Sequence, residues 1–446
     1  MLAESRLTRF FLIDMEEAGR VALYVPDEAD NILFTDPAHR PAMLQVSLAI
    51  GAIRSYVTQR LATLLLPCPI FGPTLALSAT VPVQDQGDLV EALRLSTPLV
   101  LRTTAVRPNI GFAVVATARG YKAKAAHLVA LIDAVQSGGC IIVYALQRGL
   151  AKKLAKALRE CLQGGRAVFL AHAKLTQAEK EAALNGFRDA AGAVLVCTNS
   201  AIRGVDHPNV TDIFKFRLPL WIGDDLQLDG RGTRDPRVTA RSTLLYNRSM
   251  LAASFYVIRN SPEAIARFTD VIAAANNLAL CHRSLLAAML GEVALARPAS
   301  SSTSCCAPCA RVAAVARGEC AALLSVPISQ VGALIAMCAQ RAAANEPATF
   351  VQLTRDKEPL AKAWAPSLSE SVRECVVAQL MADRTLQLVP ADPSKKSGAG
   401  LHLRVDHARL QERKMARADW RVFTLLPEEH VGREDAGDNM DWLLSS

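Results

Sequence analysis

The 446 residues contain no G-x-x-x-x-G-K-[ST] motif and not even one Gly-Lys dipeptide. The loop that wraps nucleotide phosphates in backbone N–H groups, with a lysine on the β- and γ-phosphates, is therefore missing from this chain. Eleven cysteines are too few for a disulfide scaffold, and the N-terminus has no signal-peptide pattern. Long apolar runs fit to span a membrane are also lacking. Residues 61–84 carry no charge, but Pro67, Pro69, Pro73 and Pro82 would break a spanning helix there. Residues 320–340 are interrupted by Ser325, Pro327, Ser329 and Gln330, which suits a pair of core helices. These absences predict a soluble chain.

What is present is enough apolar sequence, 51%, to bury sizeable cores, with 21% charged residues. At roughly 150 residues per domain, the length predicts about three domains. The net charge is +8, but residues 428–446 hold six acids and one base, so the remainder is more basic than the average. A basic surplus suits a polyanionic partner without requiring one. Six cysteines (Cys68, Cys140, Cys161, Cys197, Cys338 and Cys375) sit in apolar runs, where buried thiols are the default. The other five lie between Cys281 and Cys320, clustered as a metal site would be.

Residues 140–246 are the most legible. CIIVYAL (140–146), AVFLAH (167–172), AVLVCT (193–198), DIFKF (212–216) and STLLY (242–246) are short apolar runs of strand type. Leu150, Leu154, Leu158 and Leu162 line one face of a helix whose other face carries Lys152, Lys153, Lys156 and Arg159. Thr176-Gln-Ala-Glu179 reads as a capping box opening a helix to about Phe187. Strands alternating with helices predict a parallel sheet covered on both faces. Upstream, VALYV (21–25) and TLALSAT (74–80) read as two buried strands of a second such sheet, flanking a helix near 42–66. After residue 250 the pattern is helical, with a linker at 298–304. Leu386–Val389 and Leu401–Val405 then bracket DPSKKSGAG as strand, turn and strand, a ribbon of the winged-helix type. A loose acidic tail is expected from about 411.

Three constellations carry chemistry. Asp27-Glu28-Ala29-Asp30 directly follows the VALYV strand, where a nucleotide-hydrolysing fold holds its metal. Asp27 would bind Mg²⁺ and Glu28 would orient the attacking water, although four polar residues also simply end a strand. Ser78-Ala79-Thr80 closes the next strand. Gln227-x-x-Gly-Arg231-Gly-Thr-Arg234 places two arginines three apart, a fork suited to a γ-phosphate. Paired surface arginines more often meet only solvent or a carboxylate. Their order along the chain is what makes the three reinforce one another.

With these in place, the chain resembles the RecQ family of superfamily 2 DNA helicases. DEADNILFTDPAHRP (27–41) looks like the family's DEAH box, aromatic-rich loop and Arg-Pro pair, and LALSATVP (75–82) is similar to motif III. RPNIGF (107–112) resembles the connector between the two RecA-like lobes. IIVYA (141–145) and AHAKL (171–175) fall at motif IV and its downstream element. TNSAIRGVDHPNV (198–210) looks like motif V, and QLDGRGTRD (227–235) like motif VI. CHRSLLAAMLGE (281–292) resembles the helix of the family's zinc-binding region. The resemblance covers residues 1–310 well and 311–410 weakly.

The resemblance implies an ATP-driven 3′ to 5′ DNA helicase acting in repair and recombination, nuclear in a eukaryote and cytoplasmic otherwise. The implied fold class is α/β. It comprises a partial first RecA-like lobe (1–105), a second lobe (106–250), a helical zinc-binding region (251–310), a winged helix (311–410) and a tail (411–446). Asp27, Glu28, Arg231 and Arg234 carry over as the catalytic set, with ATP and Mg²⁺ as cofactors. Ser78, Thr80, Asp206 and Gln227 carry over to the nucleotide. Arg40, Thr198, Gly204, Lys395 and Lys396 carry over to nucleic acid. Departures are Asp30 at the DEAH histidine, Phe34 as the sole aromatic of its loop, and Ile202 at the first glycine of motif V. The missing P-loop predicts a helicase short of its first third, with little or no ATP hydrolysis of its own. A DNA-binding remnant that ignores ATP, and a protein that kept only the structural shell, are the competing readings.

In the family, one helix cysteine joins three on the following loop as a zinc site. Here Cys281 is followed by Cys306-Ala-Pro-Cys309, while the third loop position falls at Val312. Cys305 and Cys320 are the candidates for the remaining ligand, against a degenerate site of free thiols. Lys395 and Lys396 suit phosphate contacts, or a solvated turn.

Overall fold

The computed structural model describes residues 6–27, 29, 32, 53, 55–64, 73–93, 95, 97–102, 105–118, 120–135, 138–163, 165–199, 205, 207–233, 235, 237–247, 249–258, 261–276, 281–292, 305–306, 309, 324–325, 328–344, 346–382, 384–389, 402–406 and 421–422. The chain forms two compact units, residues 1–105 with 287–295, and residues 106–286 with 296–446.

In the first unit, helix α1 (Arg6–Glu17) sets Leu12 and Ile13 against Ile53, Val57 and Leu61, and Glu17 pairs with Arg60 at 3.0 Å. The segments expected as strands run parallel. Tyr24 N–H donates to Pro73 O at 3.0 Å, Leu75 N–H to Tyr24 O at 2.8 Å, and Leu77 N–H to Pro26 O at 3.0 Å. A single bridge, Tyr24 with Thr74, is regular strand pairing. Helix α2 (Gln86–Ala92) helps cover one side through Leu89, Ala92 and the following Leu93, which pack with Ala29, Ile32 and Ala76. The other side corrects the expectation of two buried strands. Leu23, Val25, Leu75 and Leu77 are each 43–48% exposed. A parallel sheet needs cover on both faces, and among the described residues nothing buries this one.

The second unit is built on a six-stranded, all-parallel sheet of order β1-β6-β5-β2-β4-β3. Its strands are β1 (Ile110–Ala116), β2 (Cys140–Tyr144), β3 (Val168–Ala171), β4 (Val194–Cys197), β5 (Val210–Lys215) and β6 (Ala240–Tyr246). Five of these are the runs legible in the sequence. The sixth, β1, falls where the sequence suggested only a connector. It lies at the sheet edge and is only partly buried, and its Gly and Ala content weakens the β signal that its valines carry. The central strands β2 and β4 are buried at every position, as continuous apolar runs in a two-sided sheet require.

The helices follow their sequence signals. In α4 (Arg148–Cys161), Leu150, Ala151, Leu154, Ala155 and Leu158 are buried, so the leucine stripe lies on the sheet while Lys152, Lys153 and Lys156 stay exposed. Cys161, expected buried, is exposed at the helix's last turn. Thr176 and Glu179 form the reciprocal cap that opens α5 (Gln177–Asp189), with Thr176 N–H donating to Glu179 Oε2 at 2.8 Å. Between β1 and β2 runs α3 (Tyr121–Asp133), and α6 (Ile222–Asp229) follows β5.

Beyond the sheet come α7 (Ser249–Ile258), α8 (Pro262–Ala275) and α9 (His282–Met289), then α10 (Ile328–Ala343). Next are β7 (Ala348–Thr349), α11 (Phe350–Thr354), α12 (Pro359–Trp364) and α13 (Glu370–Ala382). Strands β8 (Leu386–Val389) and β9 (His402–Val405) complete an antiparallel sheet of order β7-β9-β8, the ribbon that the sequence predicts. One core cluster spans Leu218 and Tyr246, Phe255 and Phe268, and Leu334, Trp364, Val376 and Leu403. The stretches 106–250, 251–310 and 311–410 thus share a hydrophobic core. Residues 421–422, expected in a loose tail, pair antiparallel with 324–325. Among the described residues no helix is long and apolar enough to cross a membrane.

Lys124 on α3 is buried against a carbonyl, a thioether and an aromatic ring. Its Nζ donates to Leu245 O at 2.7 Å, lies 2.8 Å from Met250 Sδ, and sits 4.7 Å from the Phe216 ring centroid. Burial, with Arg217 adding to it, pushes its pKa down to about 6. An unfolded lysine ionises near ~10.4, so this group costs stability progressively as pH falls from there to about 6, and no further below. The thermal midpoint is expected to rise with pH across that window. Lys124→Met should flatten the rise and raise the midpoint at neutral pH, and an unaltered slope would count against a buried neutral lysine.

Candidate functional site

In a doubly covered parallel sheet, chemistry collects where the strands end at their carboxyl side. In the second unit that edge is marked by Tyr144, His172, Thr198 and Lys215. The Tyr144 hydroxyl is buried with no hydrogen-bond partner among the described residues, and burial, reinforced by Asp224, raises its pKa. His172, just past β3, is also buried. Neither imidazole nitrogen has a partner beyond its own backbone among the described residues. Burial lowers its pKa, and Lys152 and Arg148 on the first turns of α4 lower it further. Thr198 follows β4, buried, with its N–H donating to Ala171 O at 3.3 Å. Next to it the Asn199 amide donates to the Asp224 carboxylate.

Lys215 ends β5 inside a buried ionic cluster. Its ammonium pairs with Asp225 and, at 2.8 Å, with Asp229, both on α6. Ser242 Oγ on β6 donates to Asp229 Oδ1 at 2.5 Å. Burial alone would lower the lysine pKa, but the two carboxylates outweigh it and raise it. Burial raises Asp229, Lys215 opposes that shift and Asp225 adds to it. The cluster fixes α6, which carries Gln227, buried on its last turn. Arg231 lies just beyond the helix, half-buried, with its guanidinium donating to Val205 O at 3.1 Å. Arg231 is therefore tied to the backbone of the loop between β4 and β5. Gly232 is needed for closeness, since a Cβ there would meet the Ala240 Cβ at 2.9 Å.

In the first unit, Ala29 N–H donates to Leu77 O at 2.9 Å, which sets the Asp27 turn beside Ser78 and Thr80. Thr80 is buried and its N–H donates to Ser78 Oγ at 3.3 Å. The structure thus sets the Asp27 turn beside the strand that leads to Ser78 and Thr80, while in the second unit Thr198 ends β4 and Arg231 follows α6 in a loop that lies by Val210 and Ala240, the first residues of β5 and β6. Glu28, Arg40, Gly204, Asp206, Arg234, Lys395 and Lys396 lie outside the described residues.

The cysteines form a third group. Cys281, Cys305, Cys306 and Cys309 place their Sγ atoms all within 4.8 Å of one another. Cys305 lies 3.5 Å from Cys281, 3.5 Å from Cys309 and 3.8 Å from Cys306. Four thiolates around a tetrahedral zinc at ~2.3 Å would be about 3.8 Å apart, so the donor set fits that ion. The gap left by Val312 is filled by Cys305, while Cys320 lies outside the described residues. Burial would raise Cys281, but hydrogen bonds from Ser284 and Cys305 bring it down to about 7. Burial pushes Cys305 up to about 11. His282 N–H donates to Cys306 Sγ at 3.3 Å, from the first turn of α9. The loop is stitched to the sheet, with Phe112 N–H donating to Cys305 O at 3.0 Å and Arg283 donating to Ile110 O at 2.7 Å.

Lys215, Asp229, His172 and Asn199 did not stand out in the sequence, because lone polar residues at strand and helix ends look like ordinary turn residues there. Arg107 and Asn109 were visible only as part of the connector motif. Arg107 reaches the main chain that follows α6, donating to the carbonyls of Asp229, Gly230, Gly232 and Thr233 at 2.9–3.2 Å.

Residues 123–235 match the family model described as the helicase conserved C-terminal domain. The matched stretch runs from α3 to just beyond α6, so this part of the parallel sheet resembles a helicase C-terminal domain. Its curated relatives are ATP-dependent helicases of two kinds. The chain is 30% identical over 148 residues to "ATP-dependent RNA helicase DBP3" of Mycosarcoma maydis, covering 32% of this chain and 25% of that protein. It is 27% identical over 215 residues to "Putative ATP-dependent DNA helicase Q1" of Caenorhabditis briggsae, covering 48% and 34%. It is 26% identical over 205 residues to "ATP-dependent DNA helicase RecQ" of Pasteurella multocida, covering 46% and 31%. The matches span about a third or less of these relatives. Among solved structures, S. cerevisiae Dbp5 bound to RNA and ADP BeF3 aligns at 19% identity and a TM-score of 0.38, covering 56% of this chain and 61% of that one.

Removing the cation of the buried cluster leaves two carboxylates uncompensated. Lys215→Ala is expected to cost ~3–5 kcal/mol, read as a lower urea midpoint. A loss below about 1 kcal/mol would show that the cluster does not hold α6.

Proposed function

We propose that this chain is the carboxyl-terminal part of the motor, with its zinc and winged-helix appendages, of an ATP-dependent 3′ to 5′ DNA helicase of RecQ type, working in repair and recombination. The observation that carries this reading is the match of residues 123–235 to the helicase domain model, with Thr198 at the end of β4, Asn199 bonded to Asp224 of the helix that bears Gln227, and Arg231 tied to Val205 O beyond that helix. On this reading Arg148 and Lys152, exposed on the first turns of α4 beside the buried His172, contribute positive charge for nucleic-acid phosphates. Such contacts position a strand without reading its sequence.

DNA is favoured over RNA by what lies beyond the sheet. The four-cysteine cluster and the β8–β9 ribbon follow the order of the RecQ appendages and lie outside the matched helicase domain. Cys281, Cys305, Cys306 and Cys309 would hold a structural zinc, which ties α9 to the loop at 305–309 as four-coordinate thiolate sites do. Asp27 would bind Mg²⁺ and Glu28 would orient water, while Arg231 and Arg234 would stabilise charge on the γ-phosphate. Ser78 and Thr80 would couple that chemistry to movement. With no P-loop in the sequence, hydrolysis by this polypeptide alone is expected to be negligible.

A second reading, DNA binding without ATP, is favoured by that same absence. Anisotropy titrations with a labelled single strand, as DNA and as RNA, separate the possibilities. Binding is expected to weaken linearly in log–log with salt, with DNA preferred over RNA, and Lys152→Ala is expected to lower the slope by about one. An RNA preference would overturn the RecQ assignment, and no binding to either would overturn both readings. ATPase turnover by this chain would contradict the expected dependence on a P-loop. Metal analysis should give about one zinc per chain, lost in Cys305→Ala and kept in Cys320→Ala.

A further inference from the structure

The loop that follows α6 is held by two side chains of the connector segment. Arg107 and Asn109 stand in the segment immediately before β1. The Arg107 guanidinium donates through Nη1 to Thr233 O at 3.0 Å, and through Nη2 to Gly230 O and Gly232 O at 2.9 Å and Asp229 O at 3.2 Å. Asn109 Nδ2 donates to Val238 O at 3.0 Å, Asp235 O at 3.1 Å and Thr233 O at 3.3 Å. Six main-chain carbonyls between 229 and 238 are thus collected by two side chains, with Pro108 between them fixing the backbone.

The chemistry suits the task. The last carbonyls of α6 have no intrahelical donors and carry the negative end of the helix dipole, so a cation there is stabilising twice over. Arginine offers five donors in a rigid fork and no acceptor, whereas a lysine ammonium cannot present the same fan. Further constraints act on the same loop from its own side. Thr233 N–H donates to Val210 O at 2.8 Å, and Gly232 leaves no room for a side chain beside Ala240.

We propose that Arg107 and Asn109 are positioning residues for the arginine loop. They fix the main chain at 229–233, 235 and 238 and so the placement of Arg231 relative to a nucleotide triphosphate. The role in aiming rests on the helicase reading above; the clamp itself rests on the hydrogen bonds alone. Neither residue touches the nucleotide in this assignment. Both act through the main chain.

Hydrogen exchange on the full chain tests the clamp. In Arg107→Ala, the amides of residues 230–233 are expected to exchange about tenfold faster or more, while β2 and β4 keep their protection. Asn109→Ala should act mainly on 233–238, and Arg107→Lys should recover only part of the loss. Unchanged exchange at 229–238 overturns the proposal. So does a uniform rise over the whole sheet, which would mark a merely structural residue. MgATP binding, measured in parallel on the wild type, Arg107→Ala and Arg231→Ala, tests the aim. A matched loss of affinity in both variants, with β2 and β4 still protected, supports it. If the loop loosens but neither variant changes MgATP binding, or the wild type binds none, the clamp stands and the nucleotide reading of this loop falls.

Discussion

The buried ammonium of Lys215 is the contact on which the candidate site most depends. It sits at the end of β5, and its two partners are one turn apart on α6, so a single cation decides how that helix leaves the sheet. Ser242 from β6 completes the group, which means three consecutive elements are joined at one desolvated point. A buried ion pair is poor as a source of net stability, because desolvation takes back most of the Coulombic gain. Its value here is directional. An apolar plug of equal volume would fill the space but would let α6 rotate, and with it Gln227 and the start of the arginine loop.

How far the sequence could be read depended on whether burial or partnership set the signal. Central strands were plain because both faces of a parallel sheet must be apolar, so Cys140–Tyr144 and Val194–Cys197 show as unbroken hydrophobic runs. The capping box at Thr176 and the leucine stripe of α4 were plain because their partners lie three or four residues away. Strand β1 was obscured by its place at an edge, where half the side chains need no burial. Lys215 and the Arg107 clamp were invisible for a different reason. Their partners are ten to more than one hundred residues distant or belong to the main chain, and neither leaves a local pattern.

The cysteines show both situations at once. Spacing alone left the last ligand open, because the pattern of the RecQ family fails at Val312. Folding brings in Cys305 by turning the loop so that two adjacent residues both face the group. Adjacent ligands are uncommon in sequence signatures because consecutive side chains in extended backbone diverge. Here the turn at 305–306, pinned to β1, removes that objection.

That pinning also closes an edge. Strand β1 is one border of the six-stranded sheet, and its outer Phe112 N–H is occupied by the carbonyl of Cys305, with a bridge to Cys306. At the opposite border, the Arg159 guanidinium occupies the Val168 carbonyl of β3. An open sheet with free borders is a template for any passing extended segment, including one from a second copy. The cysteine loop is therefore a chaperone of its own sheet as well as a candidate metal holder. If the loop left β1, the Phe112 N–H at this border would lose its partner and the edge would lie open.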